Sequence, residues 1–269
     1  MRKIALADTD LQVSRFIFGT AGLFNAGGPK RRLELLESAF DQGVTHFDTA
    51  PYYGFGNAER AMKPFLARHP EATVTTKVGI YSPGGERQPD GLVFLRKAAG
   101  RVFPAISRPM IDWTLSRARV ALEDSLRRLG RSHIDLYTLH EPDFRLVETQ
   151  EWSRWLEDEV AAGRVRHFGV ALEARGLPPF LQSQSPLSRV VQTTDSLETR
   201  DADVLARHGR PMQITYGYVS DALRRNSHAD VPSVLSQALK RNRDGAIIVS
   251  TRKASRMGQY AELARAECE

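Results

Sequence analysis

Short apolar, β-branched runs alternate with amphipathic segments eight times along this chain, and few architectures accept that order. The runs are residues 15–19, 45–48, 73–77, 134–140, 165–170, 189–192, 212–216 and 245–249. Between them apolar residues return at spacings of three and four. Leu115, Ala118, Leu122, Leu126 and Leu129 do so while Arg117, Asp124 and Arg128 fall on the other face, and Gly130 then supplies a stop. Leu33, Leu36 and Phe40 repeat the pattern before Gly43, as do Trp152, Trp155, Leu156 and Val160 before Gly163. Strand–helix alternation requires parallel strands with crossover helices, and eight such units close into a barrel. The prediction is an α/β protein, a (β/α)8 barrel filling residues 1–269 as a single domain.

Two segments break the alternation. Residues 2–12 read as a short N-terminal hairpin with a turn at Asp8-Thr-Asp10. Residues 81–112, with Pro83, Gly84, Gly85, Pro89, Pro104 and Pro109, read as a long loop after strand 3, at the face where barrel sites lie. Trp113 and Phe103 beside it either line a substrate pocket or pack the insert onto the barrel.

Composition narrows the function classes. The net charge of +6 comes from 38 basic and 32 acidic residues, with arginines scattered beside acids, as where Arg117 and Arg119 precede Glu123 and Asp124. A nucleic-acid binder concentrates such an excess in a patch or arm, so no nucleic-acid partner is expected; a phosphate-bearing cofactor suits the bias equally well. No run approaches the roughly 20 apolar residues of a membrane helix, and Asp8 and Asp10 interrupt the basic start before a signal sequence develops. The single cysteine, Cys268, excludes an internal disulfide. The expectation is a cytoplasmic protein with no membrane partner, a monomer or weak oligomer.

Four polar side chains stand at or just past predicted strand ends: Asp48 ends strand 2 with Tyr53 five residues on, Lys77 ends strand 3 and His140 ends strand 4. Neighbouring strand ends of a barrel open into one mouth, so the four can converge. Aspartate beside a buried lysine keeps it charged, and the ammonium is expected to lower the pKa of an adjacent phenol. Such a tyrosine can protonate a carbonyl oxygen while histidine orients it, with no metal. Gly54-Phe-Gly56-Asn-Ala-Glu59 lacks the third glycine of a dinucleotide fingerprint and reads as a loop entering a helix, Glu59 favouring the helix dipole. His46 and His167 lie within strands without companion ligands and read as core or supporting residues. Trp152 and Trp155 read as packing residues.

The runs Phe47-Asp-Thr-Ala-Pro-Tyr-Tyr-Gly54, Thr75-Thr-Lys-Val-Gly79 and Ile134-Asp-Leu-Tyr-Thr-Leu-His-Glu-Pro-Asp143 are similar, in order and spacing, to three signature segments of the aldo-keto reductases. The region around Asp48 resembles the aldose dehydrogenase and pyridoxal-handling branch. The resemblance implies Tyr53 as general acid, with Tyr52 a neighbouring decoy, Lys77 and Asp48 tuning it, and His140 placing a small-molecule carbonyl substrate. It also implies Gln192 on the nicotinamide carboxamide, Tyr216 stacked on the nicotinamide ring, and Ser250, Thr251, Arg252, Lys253 and Arg256 on the adenosine phosphate, favouring NADP over NAD. This chain departs from the family pattern after strand 5, where Ala171-Leu172 replaces Ser-Asn, and in the last helix, where Gln259-Tyr260 replaces Glu-Asn. The family's long closing loop after the last helix is not expected. Three functions follow: NADPH-dependent carbonyl reduction, the same site run oxidatively as an aldose or pyridoxal dehydrogenase, or a non-catalytic barrel that binds a metabolite or protein.

Overall fold

A computed structural model describes residues 1–100 and 106–266; Phe103 and Cys268 lie outside the described residues. Among the described residues, eight parallel strands close a barrel. In order around it they are β3 (Phe16–Gly19), β4 (His46–Asp48), β5 (Thr73–Val78), β8 (Ile134–His140), β9 (Val165–Leu172), β10 (Val190–Thr194), β11 (Ile214–Tyr216) and β12 (Ala246–Val249). The four remaining strands form two antiparallel pairs. β1 (Lys3–Ala5) with β2 (Gln12–Ser14) is the expected hairpin, and β6 (Ile80–Tyr81) with β7 (Met110–Ile111) brackets the segment after β5. The predicted barrel and hairpin are both present. No helix among the described residues is long and apolar enough to cross a membrane.

The two layers of core follow from the two periodicities. Helical stripes, such as Leu35, Leu36 and Ala39 or Ala118, Leu122 and Leu129, pack on the outward faces of strands through Phe18, Phe47 and Val74. Gly130 does end its helix, at φ 69°, with its N–H bonded to the Leu126 carbonyl. The inward faces form a second core, which the hairpin plugs from below: Ile4, Leu6, Leu11 and Val13 meet Ile17, Leu136, Val190 and Ile214. Trp152 and Trp155 pack edge to face in the outer layer, with Trp155 Nε1 donating to Glu159 at 2.7 Å, as expected of packing residues.

The structure corrects one reading and sharpens three. The segment 81–112 is not a bare loop, because it carries the helix Asp90–Gly100 between β6 and β7. The run Leu92–Leu95 lies within it, masked in the sequence by the flanking prolines and glycines. Trp113 packs the insert onto the barrel: its ring covers Gly79, where a Cβ would lie 2.0 Å from it, and it meets Trp152 edge to face. Glu59 is the first-turn acid expected of the helix Asn57–Arg68, and it has a second role. It is fully buried, accepting from Arg128 Nε and Thr76 Oγ1, each at 2.6 Å, and so ties two helices to β5. His167 also differs from His46, because it sits at the barrel floor paired with exposed Asp10 at 2.6 Å.

Glu59→Ala is expected to destabilise the protein by about 3–5 kcal/mol, since it strands the buried Arg128 guanidinium. Chemical denaturation measures this; a loss under about 1 kcal/mol would contradict the clamp.

Candidate active site

β4 is only three residues long, and its register decides the site. His46 pairs Thr73, Phe47 pairs Val74 and Asp48 pairs Thr75. Alternation then puts His46 and Asp48 on one face of β4, level with Thr73, Thr75 and Lys77 on β5. Lys77 Nζ donates to Asp48 Oδ2 at 2.7 Å and to the Thr49 carbonyl at 2.8 Å, with both side chains buried. The same ammonium lies 4.9 Å from the centre of the Tyr53 ring, and His140 approaches that ring edge-on at 5.9 Å. The structure thus brings together all four residues predicted to converge. Tyr52 turns away, its hydroxyl donating to the Ser107 carbonyl of the insert at 3.3 Å.

These groups border a cavity of about 520 Å³ that Gln192, Tyr216 and Ser250 also line. Gln192 lies two residues before the end of β10 rather than at the end of its strand. His140, Ala171 and Gln192 form one row across β8, β9 and β10. Ala171 is therefore the small residue between two polar ones, while Leu172 points outward into the helical core. His140 Nδ1 and Gln192 Oε1 are both buried without a hydrogen-bond partner. A planar amide carrying donors and an acceptor suits such a wall, and Tyr216 supplies the aromatic face, so the residues present fit a nicotinamide ring despite Ala171-Leu172. Ser250 gives its hydroxyl to the Gly19 carbonyl at 2.9 Å. Arg252, Lys253 and Arg256 are exposed and outside the cavity, with Arg256 reaching the Tyr260 hydroxyl, and Thr251 is half-buried.

Sequence reading missed part of the lining. Gly217, Tyr218, Val219 and Ser220, which open the helix Tyr218–Arg225, form one wall. Buried Asp195 holds that wall, accepting from Tyr218 Oη at 2.6 Å and from Arg241 Nε at 2.6 Å. Tyr216-Gly-Tyr218, running out of the end of the seventh barrel strand, is the signal the sequence offers.

The electrostatics correct one expectation. The Tyr53 phenol is not pulled down by the ammonium: burial, then the Asp48 and Glu141 carboxylates, raise its pKa well above the ordinary value. Burial lowers the pKa of Lys77, with Asp48 and Glu59 opposing the fall. His140 is pushed down to about 3 by burial and by Lys77, so its imidazole is neutral at physiological pH.

Residues 15–174 match the Aldo/keto reductase family. The chain belongs to that family. Among its relatives, the D-threo-aldose 1-dehydrogenase of a Pseudomonas species is 33% identical over 176 residues, covering 62% of this chain and 52% of that protein. The pyridoxal 4-dehydrogenase of Microbacterium luteolum is 30% identical over 201 residues, covering 63% and 55%. The chain spans about half the length of these two relatives. In fold, it resembles an aldo-keto reductase from Klebsiella pneumoniae solved in complex with NADPH. The TM-score is 0.68 at 18% identity, over 98% of this chain and 89% of that one. The oxidoreductase family inferred from the three signature segments is therefore confirmed, as is the likeness to aldose and pyridoxal dehydrogenases.

As an aldo/keto reductase with two neutral buried histidines, the protein has a definite acid response. His46 is lowered to about 4 and His140 to about 3, both mainly by burial, against 6.5 when unfolded. Below that value the unfolded chain binds protons the native state refuses. Stability is therefore expected to fall as pH drops from 6.5 toward 5, by up to about 1.4 kcal/mol per pH unit for each histidine. Denaturation across this range measures the slope, and a flat profile would contradict two buried neutral imidazoles.

Proposed function

We propose that this aldo/keto reductase reduces an aldehyde or ketone to an alcohol with NADPH, and that Tyr53 donates the proton. The observation that carries the reading is the placement of Lys77 Nζ, 2.7 Å from Asp48 and 4.9 Å from the centre of the Tyr53 ring. A phenol raised by burial is protonated at neutral pH, the form a donor needs. As its proton leaves for the carbonyl oxygen, the nearby ammonium stabilises the phenolate, and Asp48 keeps the ammonium in place. His140, neutral, orients the same oxygen by hydrogen bonding.

Bound nicotinamide would supply the hydride. Gln192 Oε1 would accept from its carboxamide, Tyr216 would stack on the ring, and Ser250, Thr251, Arg252, Lys253 and Arg256 would hold the adenosine phosphate. The three cations favour NADP over NAD, because a 2′-phosphate gains from guanidinium and ammonium partners. The same reading takes residues 1–269 as one cytoplasmic barrel domain, a monomer or weak oligomer, acting on a small-molecule carbonyl. Relatives named as aldose and pyridoxal dehydrogenases support a second reading, in which the same groups run oxidatively and Tyr53 receives the proton.

Tyr53→Phe is expected to lower turnover by about 10²–10⁴-fold, while NADPH affinity, followed by tryptophan and nicotinamide fluorescence, stays within about twofold because the hydroxyl is not assigned to cofactor binding. Tyr52→Phe is expected to retain its rate. An unaltered rate in Tyr53→Phe would overturn the assignment, and rates with NADPH and an aldehyde against NAD and an aldose separate the two directions.

A further inference from the structure

Directly below the Lys77–Asp48 pair lies an imidazole that the proposed chemistry does not use. His46 is fully buried, two residues before Asp48 on the same face of β4. Its ring spans two hydroxyls of β5, with Nδ1 2.7 Å from Thr73 Oγ1 and Nε2 2.7 Å from Thr75 Oγ1. Thr73 Oγ1 donates to the Thr45 carbonyl at 3.2 Å. Its proton being committed there, it accepts from His46, which fixes the proton on Nδ1. Nε2 then carries the lone pair and accepts from Thr75, the residue that pairs with Asp48 in the register.

We infer that His46 is a positioning residue for the Lys77–Asp48 pair, locking β4 against β5 in one register through a neutral, Nδ1-protonated imidazole. The inference rests on the reading of Tyr53 and Lys77 given above, but it concerns the pair's geometry whatever the substrate. β4 is short, three residues paired with β5 and two with β3. Its ladder to β5 is continued at the ends by Thr73 N–H to the Thr45 carbonyl and Thr49 N–H to the Thr75 carbonyl, each at 2.9 Å, so side-chain bonds across the same register add to a short ladder. A bidentate side chain that meets both its pair partner and the diagonal neighbour supplies such bonds. Neutrality matters equally, because a charged imidazole here would repel the ammonium above it.

The charged and titratable groups around Lys77 are Asp48 and His46 on β4, Tyr53 in the loop after it, Glu59 on the helix Asn57–Arg68, and His140 on β8. Those acting on His46 are Asp135 on β8 and Lys77. Asp48 is the largest influence holding the lysine up against burial. Loosening Asp48 should therefore let the lysine lose its proton at lower pH.

The test uses nuclear magnetic resonance of the full chain with labelled histidine and lysine, without added nucleotide. The expected result is a His46 tautomer with the proton on Nδ1, and a Lys77 titration midpoint that falls by about half a pH unit or more in His46→Leu. His46→Gln, which keeps a donor and an acceptor at its end, should restore the midpoint. In carbonyl reduction, His46→Leu should lower kcat about tenfold and move the alkaline limb of the pH profile to lower pH, with NADPH affinity within about twofold. A proton on Nε2, or a Lys77 midpoint that is the same in His46→Leu as in the native protein, would overturn the role. If His46→Leu fails to fold, the native tautomer and His46→Gln decide the matter. If the resonance results hold but no carbonyl is reduced, the proposed function fails and the positioning of the pair stands.

Discussion

A buried lysine–aspartate pair organises this molecule. Taking two ions out of water costs several kcal/mol each, and a pair recovers that only with close geometry and its remaining valences satisfied. Here the ammonium has a carboxylate oxygen and a backbone carbonyl, and an aromatic face lies beside it. None of this survives a shift of one residue between β4 and β5, because such a slip turns every side chain to the opposite face. The surrounding structure guards against the slip from both sides of the sheet: His46 bridges two threonines on the inner face, and Glu59 binds Thr76 on the outer one.

The barrel and the four converging residues were legible in sequence because both follow from period. Alternating runs name the strands, and Asp48, Lys77 and His140 stand where strands end, so the topology alone points them into one mouth. Roles that depend on what lies across the fold were not legible. Glu59 is an ordinary first-turn acid until Arg128, far along the chain, is seen to close on it. The direction of the Tyr53 shift is hidden for the same reason: the sequence shows the ammonium as a neighbour, whereas the extent of burial and the Glu141 carboxylate belong to the fold. The helix Asp90–Gly100 was hidden by the turn-forming residues on either side of it.

The departures Ala171 and Leu172 have unequal consequences. Leu172 lies on the outer face, where an apolar side chain joins the helical core. Ala171 lies between His140 and Gln192 and takes a polar contact away from the cavity wall while leaving its neighbours' buried atoms uncommitted. In the proposed binding of nicotinamide, orientation of its amide would fall to fewer groups, each holding a larger share of it.

The hairpin that plugs the barrel floor bears on how charge is conserved during a reaction. Ile4, Leu6, Leu11 and Val13 form an apolar stopper beneath the interior. Above it stand His46, Thr75, Asp48 and Lys77, a polar column that continues through His46 to half-buried Thr73. The cavity lined by Asp48, Tyr53, Lys77 and His140 lies above that floor, and in the proposed reaction a cofactor and substrate would fill it. In the proposed reduction Tyr53 regains its proton before the next turnover, so the resetting of the acid and the release of product share one cavity.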